Sequence, residues 1–202
     1  MTDTVIPNHH AHYPSFSGLS GLVAALSMVA GRDGDARQAA RLVQLDAGDR
    51  VLDIGSGPGA AARHAARAGA SVTGVDPARV MRRVARLLTH SRRVNYVDGT
   101  AEALPCADGS ATVAWSIATV HHWRDVDRGL HEVRRVLVPG GRFVAIERLT
   151  HAGAAGLGSH GWTDAQAAAF ADRCRAAGFV DVAIDHDRHD RRSTVAVVAS
   201  AP

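Results

Sequence analysis

The sequence predicts an α/β fold, a doubly wound and Rossmann-like sheet of seven strands with helices on both faces. The first observation is that strand and helix patterns alternate at the spacing of βα units from Arg50 onward. The second is that the last two predicted strands, Val180–Ile184 and Thr194–Ala199, are separated by a polar stretch too short for a crossover helix. The sheet should therefore be mostly parallel, with one antiparallel strand near its C-terminal edge.

The other elements follow from apolar runs and from the residues that end them. Short apolar runs predict five more strands, at Val51–Ile54, Ser71–Val75, Val94–Val97, Thr112–Trp115 and Arg142–Leu149. Helical patterns lie at Ser17–Ala30, Asp35–Leu45, Ala60–Ala68, in the segment after Pro77, at Asp125–Val138 and at Thr163–Ala177. Three helices should end at Gly69, at the Pro139-Gly140-Gly141 run and at Gly178. In the helix after Pro77, four arginines share a face that we expect to be solvated: Arg79, Arg82, Arg83 and Arg86.

Composition excludes several classes of protein. No apolar run approaches the length of a membrane span and no secretory signal is visible, so we expect no stable membrane insertion. Cys106 and Cys174 lie far apart without a metal-binding spacing, which is typical of reduced thiols in a cytoplasmic protein. The formal net charge is only +3 and the arginines form no long block, so we expect no nucleic-acid partner.

The run Asp53-Ile54-Gly55-Ser56-Gly57-Pro58-Gly59 is the most informative motif of the chain. It lies between a predicted strand and the predicted helix at Ala60, and its glycines permit a tight turn in which bare backbone approaches a ligand. The N-terminal amides of the helix would face the same ligand. The pattern indicates a nucleotide-type site, and taken alone it also fits a dinucleotide such as NAD or FAD.

Asp76 follows the second predicted strand, about 20 residues after the glycine turn. A carboxylate at that place accepts hydrogen bonds from the hydroxyl groups of an adenosine ribose. The alternative is an ordinary helix N-cap, since Asp before Pro is common there. The glycine turn upstream favours the ribose role.

Several separated motifs between Arg50 and Leu149 resemble those of class I S-adenosylmethionine-dependent methyltransferases, in the small-molecule branch that includes ubiquinone and sterol methylating enzymes. The run that begins at Val51 resembles the first motif of this family, and Gly99-Thr100-Ala101-Glu102-Ala103-Leu104-Pro105 is similar to its G-D-A-E-x-L-P segment. Val120-His121-His122-Trp123 resembles the H-H-W that follows the fourth strand. The segment Leu130–Phe143 is similar to the helix, stop and fifth strand of these enzymes.

This resemblance implies a site for S-adenosylmethionine, with S-adenosylhomocysteine as the product. It implies that the backbone of Gly55, Ser56 and Gly57 approaches the methionine portion, while Asp53 supports the turn. Asp76, followed by Pro77, would bind the ribose, and Thr100 and Ala101 would line the adenine. Ser116 or Ile117, at the end of the fourth strand, would face the methionine end. Two departures matter. Ala111-Thr112-Val113-Ala114 stands where the family has F-D-V-V, which removes a carboxylate, and Thr100 stands where the family commonly has Asp. A hydroxyl accepts a bond from the adenine amino group without charge assistance, so this contact should be weaker.

The catalytic and substrate-side candidates lie around the same edge of the predicted sheet. Either His121 or His122 is placed to remove a proton from an acceptor, and the alternative is that one packs under Trp123 while the other bonds to backbone. The substrate or lid candidates are His12, Tyr13, Trp123, Glu147, His160 and Trp162. The arm that carries His9, His10 and His12 lacks the fixed geometry of a ligand set, so we expect no metal site.

The predicted organisation is a single methyltransferase domain over residues 1–202. It comprises an N-terminal arm and helices (1–48) that act as a lid, a cofactor-binding core (49–149), a short substrate-side loop (150–162) and a C-terminal helix and hairpin (163–202). The expected function is methyl transfer to a small O, N or C acceptor by a monomer or homodimer. The alternatives are a non-catalytic S-adenosylmethionine-binding protein and an NAD-dependent oxidoreductase.

Overall fold

The computed structural model describes residues 6–10, 33–189 and 192–202 of the chain. Its centre is one seven-stranded sheet. The strands, in chain order, are β1 (Arg50–Ile54), β2 (Ser71–Val75), β3 (Val94–Val97), β4 (Ala111–Ile117), β5 (Leu137–Arg148), β6 (Val180–His189) and β7 (Arg192–Ser200). The helices are α1 (Asp33–Leu42), α2 (Ala60–Arg67), α3 (Arg79–Leu88), α4 (Val126–Val136) and α5 (Asp164–Ala176).

The strands lie in the order β3-β2-β1-β4-β5-β7-β6. β1 pairs in parallel with β2 on one side and with β4 on the other, so the direction in which the chain adds strands reverses between β1 and β4. β7 runs antiparallel to both of its neighbours, β5 and β6. This confirms the predicted sheet, mostly parallel with one antiparallel strand near the C-terminal edge. In open α/β sheets, ligands bind at the carboxyl ends of the strands beside such a reversal.

Two apolar cores, one containing residues of α4 and α5 and the other residues of α1 and α2, hold the helices on the sheet. In the first, Leu130 of α4 and Phe170 of α5 are completely buried together with Trp162. In the second, α1 and α2 contribute small alanines, such as Ala39 and Ala62, to the core around Trp115. Alanine is a strong helix former, and its short side chain lets the helix axis approach the sheet closely. Helix α2 therefore packs tightly on the sheet, next to the turn that precedes it.

Two elements differ from the sequence prediction. Helix α4 ends at Val136, and the Pro139-Gly140-Gly141 run lies inside β5 because Leu137 already pairs with Ala111 of β4. Strand β6 extends to His189 beyond the predicted Ile184. Its later residues pair with β7 at the edge of the sheet, where polar side chains are solvated, so a polar sequence remains a strand.

The expectation of a solvated arginine face on α3 was wrong for Arg82. This side chain is buried, donates a 2.6 Å hydrogen bond to the carbonyl oxygen of Asp76, and pairs with Asp98 at 2.9 Å. Arg86 also turns back to the sheet and donates to the carbonyl of Tyr96. Carbonyl groups at the ends of β2 and β3 attract these guanidinium groups, since buried acceptors require partners.

Some predicted features lie outside the described residues. They are the helix at Ser17–Ala30 and the substrate-side candidates His12 and Tyr13. Within the part of the chain that the structure describes, no helix has both the length and the apolar character that a membrane crossing requires.

Candidate functional site

The glycine turn connects β1 to α2 at the carboxyl edge of the sheet. Gly55, Gly57 and Gly59 have φ angles of +71°, +51° and +80°, all in the left-handed region that favours glycine. The backbone amides of Gly55 and Ser56 donate to the carbonyl of Val75 at 2.8 and 3.0 Å, which fastens the turn to the end of β2. The turn is therefore held by the sheet and does not depend on a ligand for its shape.

The three glycines serve different contacts. A side chain at Gly55 would collide with Thr119, whose Cγ2 atom lies 2.5 Å from the position of an added Cβ, and one at Gly59 would collide with the hydroxyl of Tyr96. At Gly57, no described residue lies within 4 Å of that position. Gly55 and Gly59 thus allow close packing within the protein, whereas Gly57 faces open space where a ligand can approach the backbone.

Asp76 fixes the turn through its carboxylate. One oxygen accepts a 2.8 Å hydrogen bond from the amide of Gly57, and the other accepts one of 2.8 Å from the amide of Ala78 at the start of α3. The side chain is largely buried, and this burial raises the pKa of its carboxyl group against the lowering effect of the two amides and of Arg82. Each carboxylate oxygen has a second lone pair, so Asp76 can hold the turn and still accept a ligand hydroxyl.

The residues around the turn fit a nucleoside-type cofactor. A cavity of about 20 Å³, lined in part by Asp53, Ser56 and Ile117, holds no more than a water molecule. The buried hydroxyl of Ser56 has no hydrogen-bond partner among the described residues. Such a polar group calls for a partner, and a water molecule in this cavity can supply it.

The other cofactor-side candidates surround this edge. Asp53 is buried on β1, Pro77 follows Asp76 at the end of β2, and Ala101 is buried. Thr100 is half-exposed and forms an isolated bridge with Ala103.

Ser116 and Ile117 are the last two residues of β4, which extends beyond the predicted end at Trp115, and both side chains are buried. The hydroxyl of Ser116 lies 2.6 Å from that of Thr119.

Three residues of this site lacked a signal in the sequence. Thr119 donates from its hydroxyl to the carbonyl of Ile54 and packs against Gly55, and Tyr96 packs against Gly59. Arg82 supports the backbone of Asp76. No local sequence pattern indicates the contacts that these three residues make. Before Thr119, Ala118 adopts a left-handed φ of +54°, a conformation that costs a non-glycine residue about 1 kcal/mol.

His121 and Glu147 form a buried pair at the ends of β4 and β5. The Nδ1 atom of His121 lies 2.8 Å from Oε2 of Glu147, and the backbone amide of His121 donates to Oε1 at 3.4 Å. The carboxylate assigns the ring proton to Nδ1, because a carboxylate accepts and does not donate. The Nε2 atom of His121 is then the acceptor that faces the neighbouring imidazoles.

The segment Ile6–His10 brings further histidines to this pair. The amide of His10 donates to the carbonyl of His121 at 2.8 Å, and the His10 ring lies 4.3 Å from that of His160, centroid to centroid. His122 is half-buried, and its Nδ1 atom lies 3.4 Å from the carbonyl of His10. Burial chiefly, and then the His121 ring, lower the pKa of His122 to about 4, so its ring is neutral at pH 7.

Trp123 and Trp162 lie beneath the histidines in the apolar core. Trp123 packs against Gly129 and Phe170, and it is only 5% exposed. Trp162 is completely buried and donates its indole N–H to the carbonyl of Pro7 at 2.8 Å, so it fastens the N-terminal segment to the substrate-side loop. The structure therefore brings together His121, His122, Glu147, His160 and Trp162, which the sequence placed near the substrate.

The comparisons with known proteins agree with this geometry. Residues 52–145 match the family model described as "Methyltransferase domain". The chain is 35% identical over 116 residues to the ubiquinone/menaquinone biosynthesis C-methyltransferase UbiE of Rubrivivax gelatinosus, covering 57% of this chain and 46% of that protein. It is 38% identical over 109 residues to the malonyl-[acyl-carrier protein] O-methyltransferase of Pseudescherichia vulneris, covering 52% of this chain and 43% of that protein.

The structure is similar to that of a SAM-dependent methyltransferase from Aquifex aeolicus, with a TM-score of 0.76 and 15% identity over 90% of this chain and 98% of that one. At this identity the likeness bears on the fold, which is thereby confirmed as Rossmann-like. The chain spans about half the length of the curated relatives it matches. These matches confirm the resemblance noted in the sequence: residues 52–145 are similar to the methyltransferase domain of S-adenosylmethionine-dependent methyltransferases.

Proposed function

We propose that this chain transfers a methyl group from S-adenosylmethionine to an O, N or C atom of a small-molecule acceptor. The observation that carries the proposal is the contact between the Gly57 amide and the Asp76 carboxylate at the reversal of strand order. This contact links two parts of the site: the turn, which a ligand can approach at Gly57, and the carboxylate of Asp76, which can accept from ribose hydroxyls. A carboxylate at this place suits the ribose of an adenosine-type cofactor.

Each cofactor-side residue would contact a different part of the ligand. Asp76 would accept from the ribose, and the turn of Gly55, Ser56 and Gly57 would lie along the methionine portion. Thr100 and Ala101 would line the adenine. Asp53 would support the turn from β1, since its side chain is buried beside Gly55 and Ser56.

The bound S-adenosylmethionine supplies an electrophilic methyl group on a sulfonium, so the protein mainly aligns the reactants and excludes water. The new bond joins the acceptor atom to the methyl carbon as the sulfur–carbon bond breaks, and S-adenosylhomocysteine is released. A hydroxyl or ammonium acceptor also loses a proton, which the neutral ring of His122 can receive. The buried pair of His121 and Glu147 would position that ring.

The acceptor is left open by the relatives, which carry names of both C- and O-methyltransferases. We propose a small acceptor because the loop after β5 has only a short 3₁₀ turn, Gly156–Ser159, and the histidine rings crowd the space above His121. Cys106 and Cys174 are both free, which favours a reducing compartment such as the cytoplasm. A monomer or homodimer is the assembly that we expect.

A non-catalytic S-adenosylmethionine-binding protein is the second candidate. Thr100 favours it, since an uncharged contact with the adenine holds the cofactor less firmly than a carboxylate does. An NAD-dependent oxidoreductase is the third candidate, because the glycine pattern alone permits a dinucleotide.

Calorimetric titration with S-adenosylmethionine, S-adenosylhomocysteine and NAD separates the three candidates. We expect the first two to bind and NAD to give no heat. A panel of phenols, quinols, amines and carboxylic acids is then assayed for release of S-adenosylhomocysteine. Binding of NAD alone would refute the methyltransferase proposal, and cofactor binding without turnover across the panel would favour the binding protein.

A further inference from the structure

We propose that His10, His121 and His160 together bind a divalent transition-metal ion of the zinc type. One ligating atom from each of the three residues lies within 4.8 Å of the other two. The three residues come from the segment Ile6–His10, from the 3₁₀ turn after β4 and from the loop after β5. This inference does not rest on methyl transfer, because it is argued from the imidazoles alone, although His121 also has the proposed role of positioning His122.

The rings are packed closely enough for a shared ion. Ring centroids lie 4.3 Å apart for His10 and His160, 5.5 Å for His121 and His160, and 5.6 Å for His10 and His121. Three nitrogens bound to tetrahedral Zn²⁺ lie about 3.4 Å from one another, given Zn–N bonds of about 2.0–2.1 Å. The ligating atoms already lie within 4.8 Å of one another, so each separation must shorten by at most about 1.4 Å to reach that spacing.

Glu147 gives His121 the orientation of a metal ligand. The carboxylate accepts a hydrogen bond from Nδ1–H, with 2.8 Å between Nδ1 and Oε2. The lone pair of Nε2 is therefore directed away from the carboxylate. Metal-bound histidines almost always donate their other ring N–H to a carboxylate or carbonyl, which fixes the tautomer and raises the basicity of the ligand. Glu147 is completely buried, so no solvent competes for this contact.

His9 is excluded from the set by its own hydrogen bonds. Its Nε2 atom lies 2.9 Å from the carbonyl of Ser159, and its Nδ1 atom lies 3.0 Å from the amide nitrogen of Gln166. Both ring nitrogens are thus used within the protein. These contacts fasten the N-terminal segment to the loop that carries His160 and so bring His10 to its place.

The electrostatics favour neutral rings, which is the form that binds metal. Burial, and then the charges of His160, His9 and His121, lower the pKa of His10 to about 4. Burial also lowers the pKa of His160, with contributions from His121, His122 and Arg148.

The donor set selects the class of ion. Three imidazole nitrogens suit Zn²⁺ and its neighbours in the transition series, whereas Mg²⁺ and Ca²⁺ require oxygen ligands. Three protein ligands on zinc leave a fourth position for water or for an oxygen of an acceptor. The sequence predicted no metal site because the arm alone has no fixed geometry. No motif in the sequence shows that the fold brings His121 and His160 next to His10.

The test is titration of the full chain, without an affinity tag, with Co²⁺ and Zn²⁺. We expect one Co²⁺ per chain with the intense visible absorption of a tetrahedral complex, displacement by Zn²⁺, and a higher Tm in Zn²⁺. His160→Ala should weaken Zn²⁺ binding at least 100-fold, and Glu147→Gln should weaken it about tenfold, the usual effect of losing an outer-shell partner. His160→Gln repeats the test with a bulkier side chain in case the alanine variant does not fold.

His90→Ala is the matched control, since His90 is exposed and lies after α3, away from the cluster. It should bind Zn²⁺ as the wild type does. The proposal is overturned if the wild type binds no Co²⁺ at micromolar concentration. It is also overturned if His12→Ala abolishes binding while His160→Ala does not, because the ion would then be held by the arm alone.

Discussion

The Nδ1 atom of His121 lies 2.8 Å from Oε2 of Glu147, and neither side chain is more than 3% exposed. The backbone amide of His121 donates to the same carboxylate, so Glu147 fixes both the ring and the chain that carries it. A buried carboxylate without such partners is strongly destabilising. The pair therefore sets the direction in which the Nε2 atom of His121 faces the other imidazoles.

Glu147→Gln tests this orientation directly. We expect the Nδ1–H tautomer of His121 in the wild type and a mixture of tautomers in the variant, because a neutral amide no longer selects a donor. Nitrogen-15 NMR of the histidine rings measures the tautomers. S-adenosylhomocysteine affinity should stay within twofold, since the glycine turn is untouched. An unchanged Nδ1–H tautomer in the variant would contradict the assignment.

The contrast between Gly57→Ala and Gly55→Ala tests which face of the turn meets a ligand. Both positions have positive φ, so each alanine costs about 1 kcal/mol of backbone strain. At Gly55 the added methyl also strikes Thr119, and we expect a loss of unfolding free energy of about 2–4 kcal/mol. At Gly57 we expect only the strain, together with at least a tenfold loss of S-adenosylhomocysteine affinity.

Urea unfolding and calorimetry measure the two effects separately. Thr119→Ser is the matched control for Gly55→Ala, because it removes Cγ2, the nearest of the three Thr119 atoms that the alanine strikes, and keeps Cβ and the hydroxyl. Combined with Gly55→Ala, it should recover part of the lost stability. If Gly57→Ala binds S-adenosylhomocysteine as well as the wild type does, the open face of the turn is not the cofactor side.

Asp76→Asn separates the two roles of this residue. The amide oxygen can still accept from one of the two backbone amides of Gly57 and Ala78, so the turn keeps part of its support. The charge-assisted bonds to a ribose are lost, and we expect affinity for S-adenosylhomocysteine to fall at least tenfold, about 1.4 kcal/mol. Asp98→Asn is the control, since Asp98 pairs with Arg82 and does not contact Gly57. Equal calorimetric affinity in Asp76→Asn and the wild type would exclude the ribose contact.

The sequence predicted what depends on local patterns. Alternating strands and helices, the reversal of the last hairpin and the glycine turn all have signals within a few residues, and all three are present. The burial of Arg82 on α3 could not be predicted in this way, because the helical pattern does not show that the carbonyl of Asp76 lies within reach of its side chain. Buried acceptors at strand ends override the usual preference of arginine for solvent.

Residues of the candidate site could be predicted from the sequence, but their arrangement in space could not. His10 and His160 are separated by about 150 residues, and only the docking of Ile6–His10 onto the loop after β5 brings their rings to 4.3 Å. Likewise, Tyr96 packs against Gly59 across β3 and the turn, a contact that explains the glycine and that no motif contains. Such contacts follow from tertiary packing, which a single sequence does not display.

Glu132 provides a test of pH dependence next to the segment that resembles G-D-A-E-x-L-P. Its carboxylate accepts from Arg135 at 2.7 and 2.8 Å and from the amide of Leu104 at 2.8 Å. The guanidinium of Arg135 chiefly, and the Leu104 amide, lower the pKa of Glu132 below its usual value of 4.5. A native pKa below the unfolded one means that the unfolded chain binds more protons, so this stabilisation is complete above about pH 4.5 and is lost as the pH falls through the native pKa.

Glu132→Gln should therefore lower the unfolding free energy by about 1–2 kcal/mol at pH 7, and the difference from the wild type should shrink below pH 4.5. Urea unfolding at pH 7 and pH 3 measures both values. Asp108→Asn is the matched control, because Asp108 also pairs with Arg135 but its side chain is 80% exposed. Exposed pairs contribute little, so we expect a change below about 0.5 kcal/mol there. A difference for Glu132→Gln that is the same at both pH values would mean that packing, and not charge, holds Leu104 to α4.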